Sequence, residues 1–231
     1  MVDFNIEGND LQYVKVKMGP GESVYGDAGH MLTKSESVSM QTIMKGGLLG
    51  ALKREVTGST FFVTQVNGPG EAAFAGIFPG KVFEIDIKQP ILAEAHSFLV
   101  AENTVNYDSQ MTRLSAGVFG GEGLFLAKFT GSGKLFLHAY GALEQISLQP
   151  GQRIQVEAAH LLAFESNMKY GISRVGGLKS MLFSHEGLFF VDIEGPGSIW
   201  VHSLTASQLA EALIPFLPSS GGQRGGLAIN L

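Results

Sequence analysis

The sequence predicts an all-β protein of three tandem β-sandwich repeats, each of roughly sixty residues, followed by one short C-terminal helix. Three observations predict this fold. Motifs recur along the chain, apolar and polar residues alternate over short segments, and 31 glycines stand mostly between these segments. Alternation with a period of two is typical of a strand that has one wet face, and glycine supplies the backbone conformations of tight turns.

The repeat is clearest between the middle and the last third of the chain. Gly131–His138 (GSGKLFLH) corresponds to Gly195–His202 (GPGSIWVH), and Glu122–Leu126 corresponds to Glu186–Phe190 at the same spacing. The first third carries the same order of motifs around Gly68–Ala75. Agreement over two separate blocks indicates duplication of one structural unit.

The fronts of the repeats also correspond. They begin near Pro20, Pro90 and Pro150, and His30 follows the first of these prolines at the spacing at which His160 follows the third. The predicted organisation is β repeat 1 over 1–81, β repeat 2 over 82–141, β repeat 3 over 142–204, a C-terminal helix over 205–218, and a flexible tail over 219–231.

Several segments predict individual strands. Lys81–Lys88 and Arg153–Ala158 alternate apolar and polar residues, which indicates one buried and one wet face. Leu124–Thr130 and Leu188–Ile193 are apolar for longer, which predicts strands that are covered on both sides. Gly-Pro-Gly and Gly-Ser-Gly between apolar segments indicate hairpin turns, so the strands are expected to be antiparallel.

One helix is predicted at the C-terminus. Ser203 or Thr205 is suited to cap it, and Pro215 and Pro218 are expected to weaken and then end it. Its apolar residues fall near helical spacing: Leu204, Leu209, Leu213 and Phe216. A second, short helical turn is an alternative for Leu48–Glu55.

Composition excludes some classes of function. With 45% hydrophobic residues the chain is expected to bury a sizeable core, and a net charge of −5 without clustered cations argues against nucleic acid as a partner. The chain has no cysteine, so neither a disulfide nor a thiolate contributes. The N-terminus MVDFNIEGND lacks the pattern of a signal peptide, so the expected location is the cytoplasm.

No motif predicts catalysis. Gly131–Lys134 lacks the remaining positions of a phosphate loop, and the glycine-rich Gly117–Gly123 lacks the strand–helix setting and spaced acid of a dinucleotide site. His185 has no second histidine at the spacing of a zinc protease, and Ser23 is not followed by the glycine of a nucleophile elbow. The sequence therefore predicts a protein that is not an enzyme, with no catalytic, cofactor or metal residues.

Four histidines form two pairs of repeat equivalents. His30 corresponds to His160, and His138 corresponds to His202. The expectation is of histidines whose hydrogen bonds are satisfied within the strands, because no pair has the spacing of a metal site. A symmetric assembly would nevertheless be able to bring His138 and His202 together across an interface.

One loop is a candidate contact surface. Leu48 and Leu49 stand close to the cations Lys53 and Arg54, a combination that suits peripheral contact with an anionic lipid surface or with a partner protein. The alternative is that the leucines cap the core of their own repeat.

These motifs resemble the altered-inheritance-of-mitochondria family, a bacterial, archaeal and mitochondrial group. The resemblance covers residues 10–218 and rests on Gly46–Arg54, Phe119–Phe125, Gly131–Gly133, Val156–Tyr170 and Leu209–Pro218. It implies a fold like the tryptophan RNA-binding attenuator protein (also described as a double-stranded β-helix type). It further implies a homotrimer in which nine β-sandwich units close a ring.

The expected function is a non-enzymatic oligomeric scaffold or interaction protein, a homotrimeric β ring. Two alternatives stay open at this point: a ring that binds a small ligand or single-stranded RNA between its units, and a protein associated peripherally with a membrane. The net charge of −5 counts against RNA.

Overall fold

The computed structural model describes residues 1–43, 63–114, 124–175 and 188–217. These residues form β-strands with one short C-terminal helix, which confirms the predicted fold class. The first strand, β1 (Asp3–Glu7), precedes three sets of six strands. Each set is called a unit below: the first, second and third unit in chain order.

The strands of the three units occupy equivalent stretches of sequence. In the first unit they are β2 (Tyr13–Met18), β3 (Ser23–Asp27), β4 (Met31–Lys34), β5 (Ser39–Ile43), β6 (Val63–Asn67) and β7 (Gly70–Ala75). In the second they are β8 (Gly80–Ile87), β9 (Ile91–Glu94), β10 (Phe98–Glu102), β11 (Val105–Leu114), β12 (Leu124–Gly131) and β13 (Gly133–Tyr140). In the third they are β14 (Leu143–Leu148), β15 (Arg153–Glu157), β16 (Leu161–Glu165), β17 (Lys169–Val175), β18 (Leu188–Glu194) and β19 (Gly197–His202).

Strand pairing follows the same pattern in each unit, and every pair is antiparallel. The sixth strand lies between the first and the third, as in β2–β7–β4, and the fifth lies between the second and the fourth, as in β3–β6–β5. A short 3-10 turn connects the second and third strands: Ala28–His30, Ala95–Ser97 and Ala158–His160. The boundaries of the repeats at 81/82 and 141/142 stay a prediction.

Neighbouring units join by one strand pair. β3 of the first unit pairs with β10 of the second, and β9 of the second pairs with β16 of the third, in the same register. The half-sheets thereby merge into sheets with the strand orders β1-β2-β7-β4, β5-β6-β3-β10-β13-β8, β11-β12-β9-β16-β19-β14 and β15-β18-β17. They are called the first to the fourth sheet.

The four sheets are stacked, with a hydrophobic core between each neighbouring pair. Val24 of β3 lies in the core between the first and second sheets, whereas Tyr25 beside it lies in the core between the second and third. Adjacent residues of a strand point to opposite faces, so both faces of the second sheet are buried. The third sheet is likewise covered on both faces, with Leu126 on one side and Phe129 on the other.

The prediction of cover on both sides is right for Leu124–Thr130 but wrong, within one chain, for Leu188–Ile193. β18 lies in the fourth sheet, at the end of the stack, where Val191 and Ile193 pack into the last core. Phe190 and Asp192 point the other way and stay partly exposed. The physical reason is that the stack of described sheets ends there, so no further sheet formed by those residues covers that face.

The C-terminal helix is α1 (Ala206–Leu213), followed by a 3-10 turn over Ile214–Phe216. Thr205 caps it: its Oγ1 accepts a hydrogen bond from the backbone N–H of Gln208, and Gln208 Oε1 accepts one from the N–H of Thr205. Such a capping box satisfies two backbone donors at once. Pro215 lies within the 3-10 turn, since proline cannot donate the hydrogen bond that would continue the helix.

Candidate assembly interface

Two strands lie at an edge although their equivalents elsewhere in the chain are paired on both sides. Among the described strands, β4 has β7 as its single neighbour, whereas the equivalent β10 and β16 also pair with the preceding unit. Similarly, β15 is paired only with β18 in that part of the chain, whereas β3 and β9 also pair with the following unit. We call β4 and β15 the open edges.

The open edges are complementary. β4 is the third strand of its unit and β15 is the second of its unit, which are the two kinds of strand that join neighbouring units elsewhere. An unpaired strand edge presents a row of backbone N–H and C=O groups that readily pair with another chain. The β15 edge of one copy is therefore suited to the β4 edge of another.

A leucine at the first open edge marks a surface that is covered elsewhere. Each third strand has an irregularity in register at its second residue, which is Leu32 in β4, Leu99 in β10 and Leu162 in β16. Leu99 and Leu162 are both 0% exposed, whereas Leu32 is 55% exposed. The sequence keeps a large apolar residue at a position that a single chain leaves in water.

The second open edge is more polar than its equivalents. Gln155 of β15 is exposed at the position that Tyr25 and Leu92 occupy in β3 and β9, where both are buried. Its Nε2 donates to Asp192 Oδ1 at 2.6 Å. Arg153 contacts Glu194 at 2.8 Å, and Lys169 lies 3.5 Å from the same carboxylate.

These contacts lower the pKa values of the Asp192 and Glu194 carboxyl groups. Arg153 first, and Lys169 next, hold the pKa of Glu194 below its ordinary value, and the hydrogen bond from Gln155 does the same for the pKa of Asp192. An open concavity is lined by these residues together with Tyr170 and Gly171. Among the described side chains of this face, Arg153 and Lys169 are therefore paired with Glu194, Asp192 is bound by Gln155, and cations do not outnumber carboxylates.

The histidines lie where neighbouring units meet. His202 Nδ1 accepts a hydrogen bond from the N–H of Tyr140 at 3.3 Å, and its Nε2 lies 2.8 Å from the carbonyl of Ala159. Since a carbonyl only accepts, the proton of His202 is on Nε2. His160 Nδ1 likewise donates to the carbonyl of His202 at 2.7 Å, and His30 Nδ1 donates to the carbonyl of Phe98 at 3.0 Å.

His138 differs from its repeat equivalent His202. It is 2% exposed, and among the described residues its Nδ1 has no hydrogen-bond partner. Burial, followed by the nearby His30 and His202, lowers its pKa to about 4. Gly76 packs against the imidazole so closely that a Cβ at residue 76 would overlap with Nδ1. The ring is therefore neutral near pH 7 and has no room for a ligand on this side.

The repeat-equivalent histidines His138 and His202 lie close together, on either side of one tyrosine ring. Tyr140 lies between His138 and His202, with ring centroids 5.6 Å and 5.1 Å away, respectively. Across the described residues, no group of three or more histidine or acidic side chains is arranged to hold a metal ion. Periodic spacing in the sequence identified the pairs, but only the topology shows that they meet at the junctions between units.

The glycine-rich turn Gly131–Gly133 joins β12 to β13. Gly131 and Gly133 have φ values of 94° and 120°, a region that favours glycine. Lys134, which would be the lysine of a phosphate loop, contacts Glu84 at 2.9 Å instead. This turn is therefore a hairpin whose lysine is already neutralised.

The candidate contact loop with Leu48, Leu49, Lys53 and Arg54 lies outside the described residues. The alternative helical turn over Leu48–Glu55, the segment Gly117–Gly123, His185 and the tail over 219–231 lie outside them too. In the described part of the chain, none of the helices has the length and apolar character needed to span a bilayer.

Comparisons with known proteins support the fold and the family of this chain. The sequence model of the family described as Mitochondrial biogenesis AIM24 matches residues 4–204. An uncharacterized protein of Streptococcus pyogenes serotype M6 is 29% identical over 219 residues, which are 90% of this chain and 87% of that protein. The crystal structure of another Streptococcus pyogenes protein aligns with a TM-score of 0.76 at 27% identity, over 94% of this chain and 100% of that one.

Proposed function

Since this chain belongs to the mitochondrial biogenesis AIM24 family, which confirms the resemblance seen in its motifs, we propose that it is a non-enzymatic scaffold that assembles into a homotrimeric β ring. The observation that carries the proposal is the pair of complementary open edges, β4 and β15. Inside the chain, the same kinds of strand already join one unit to the next.

The removal of exposed strand edges favours a closed ring over an open chain of copies. A contact between two different surfaces of identical subunits is head-to-tail, and it either closes into a ring or continues as a filament. A ring leaves neither β4 nor β15 exposed, and removal of such edges is a general protection of β proteins against aggregation. Nine units close the ring if three copies join.

The pairing would also cover the apolar residues that one chain leaves open. If β15 of one copy pairs with β4 of the next, the first sheet of that copy continues the fourth sheet, as the half-sheets do at the two internal junctions. Leu32 would then take the place that Leu99 and Leu162 take inside the chain, and Phe190 would be covered as Leu126 is. Covering apolar surface is the main gain in such association.

The charges of the open face support a protein partner over RNA. Single-stranded nucleic acid needs a cationic groove with aromatic rings on which bases stack. On the fourth sheet, Arg153 and Lys169 are instead occupied by Glu194, and Asp192 adds another negative charge. A scaffold that acts through its assembled surface fits this pattern better than a ring that binds RNA.

Sedimentation equilibrium tests the proposal. The wild-type chain is expected at three times its mass of 24.6 kDa, and Leu32→Asp at the mass of one chain, because a carboxylate would be buried at the interface. Ile77→Asp is the matched control, since Ile77 directly follows the first unit and is 74% exposed but does not lie on an open edge. A wild-type protein that sediments at 24.6 kDa would refute the ring.

A further inference from the structure

We propose that Ala206–Leu217, called the arm, packs on the first unit of the neighbouring copy in the ring, beside Leu11. This inference rests on the proposed ring and specifies a contact that strand pairing alone does not require. Its occupant is a second copy of this chain.

The arm begins directly after a buried helix cap. Thr205, which caps α1, is 6% exposed. The side chain of Gln208 links the cap to the third unit: its Oε1 accepts from the N–H of Thr205 at 3.0 Å, and its Nε2 lies 3.4 Å from Nε2 of His160. Because His160 Nδ1 donates to the carbonyl of His202, its Nε2 is free to accept in the neutral ring. The direction in which the arm leaves the third unit is thereby set.

The far end of the arm is apolar and exposed. The exposed fraction is 51% for Leu213, 62% for Ile214, 83% for Phe216 and 62% for Leu217. In the described part of the chain nothing buries any residue of α1 or of the turn that follows it. A contiguous apolar surface of this kind is typical of a site that contacts another molecule.

Hydrogen bonds between the units show what lies beside the arm in a ring. The N–H of Gln12, at the start of the first unit, donates to the carbonyl of Gly80 at the start of the second. The N–H of Gly141, just before the third unit, donates to the carbonyl of Pro79. The N–H of Leu204 donates to the carbonyl of Tyr140. These bonds form a series along the stack: Gln12 pairs with Gly80, Gly141 pairs with Pro79, and Leu204, which follows the last strand of the third unit, pairs with Tyr140.

The series identifies the neighbour. After Leu204 the next unit belongs to another copy, whose first unit begins at Gln12. The residues just before α1 and those just before Gln12 of the next copy therefore arrive at the same junction. Leu11, directly before Gln12, is 65% exposed, which gives the apolar end of the arm a partner of the same character.

The distribution of exposed apolar residues agrees with this assignment. In the described ranges, four exposed large apolar side chains lie in or before the first unit (Met1, Leu11, Leu32 and Met40), Ile77 lies between the first and second units, and the others are in the arm (Leu213, Ile214, Phe216 and Leu217). The arm has a single ionisable side chain, Glu211, and no cation. It therefore lacks the lysines and arginines with which amphipathic helices bind anionic lipid.

Photo-crosslinking tests the arm. A benzoylphenylalanine placed at Phe216 in the full chain is irradiated, and products are separated on a denaturing gel and mapped by mass spectrometry. The expected product has twice the mass of the chain and joins the arm to the peptide that contains Leu11. The same photoreactive residue at Ile77 is the control, and it is expected to give no such product. Leu11→Asp is expected to reduce the yield of the Phe216 product at least fivefold.

The outcomes separate the arm from the ring. If the irradiated sample sediments as a trimer but residue 216 links only within its own chain, or does not link, the proposed contact of the arm is refuted and the proposed ring stands. If the wild-type sample sediments as a single chain, both fall. If residue 216 links to lipid in phosphatidylcholine–phosphatidylglycerol vesicles instead of to another copy, the arm contacts a membrane and the proposal is refuted.

Discussion

The two junctions inside the chain and the two open edges at its ends are built from equivalent strands but from different side chains. At the internal junctions, Tyr25, Leu92, Leu99 and Leu162 are all buried, each in one of the cores between neighbouring sheets. At the open edges, Gln155 is exposed and surrounded by ion pairs, and Leu32 is exposed. The difference teaches that one chain forms two junctions between units, β3 with β10 and β9 with β16. The two strands that would form a third junction, β4 and β15, lie at opposite ends of the stack.

Truncation of the equivalent leucines gives the largest contrast between the two regions. Leu99→Ala is expected to lower the free energy of unfolding by about 2–5 kcal/mol, because it opens a cavity in a packed core. Leu32→Ala is expected to change it by about 0.5 kcal/mol or less in the dissociated chain, because that side chain is in water there. Urea unfolding of both variants, at a protein concentration at which the copies are dissociated, measures this, and equal losses there would show that Leu32 is already packed within one chain.

Acid is expected to act on the internal junctions through His138. The folded protein holds its pKa at about 4 against an ordinary 6.5, so between these values the unfolded chain binds more protons. Stability is therefore fully present above pH 6.5 and is lost as the pH falls towards 4, by at most about 3 kcal/mol from this group. His138→Phe removes that contribution, and unfolding measured between pH 7 and 4 is expected to fall less steeply in the variant. An unchanged slope would contradict the assignment.

Gly76→Ala tests the contact that covers His138. A Cβ at residue 76 would overlap with the imidazole, so the substitution is expected to cost about 1–3 kcal/mol. His138→Ala in the same chain makes room, and the double variant is expected to lose less than the sum of the two single losses. Additive losses in a double-mutant cycle would show that the two residues are not in contact.

Removal of charge at the open face is expected to have the smallest effect on a single chain. Arg153→Ala and Lys169→Ala each break an exposed ion pair with Glu194, and exposed pairs of this kind contribute little to the free energy of unfolding. The effect is expected to fall further in high salt, because salt screens exposed charges. Urea unfolding at low and high ionic strength checks this, and a loss that salt leaves unchanged would place these charges in a structural role.

Much of the local structure could be predicted from sequence patterns. The alternation in Lys81–Lys88 places Phe83, Ile85 and Ile87 in the core, and all three are buried in β8. The choice between Ser203 and Thr205 as helix cap is settled by geometry in favour of Thr205. Such features depend on residues close in sequence, which is why a local pattern is sufficient to predict them.

The stacking of sheets could not be predicted in the same way. The pairs that join units, such as Ala101 with Tyr25 and Phe164 with Leu92, link residues far apart in sequence that no shared pattern connects. The apolar character of Leu188–Ile193 indicates a strand with two covered faces. Among the described residues of one chain, only one of these faces is covered. The histidine pairs were visible as repeats, but their meeting at Tyr140 depends on the same long-range pairing.

The open edges can be tested directly by a disulfide, because the chain has no cysteine of its own. If the register of the internal junctions also holds between copies, Gln155 of one copy lies opposite Lys34 of the next, as Tyr25 lies opposite Ala101 and Leu92 opposite Phe164. A Lys34→Cys chain mixed with a Gln155→Cys chain and mildly oxidised is expected to give a linked dimer. Thr33→Cys mixed with Gln155→Cys is expected to give none, since adjacent residues point to opposite faces. No dimer in the first mixture, or equal yields in both, would contradict the pairing of β4 with β15.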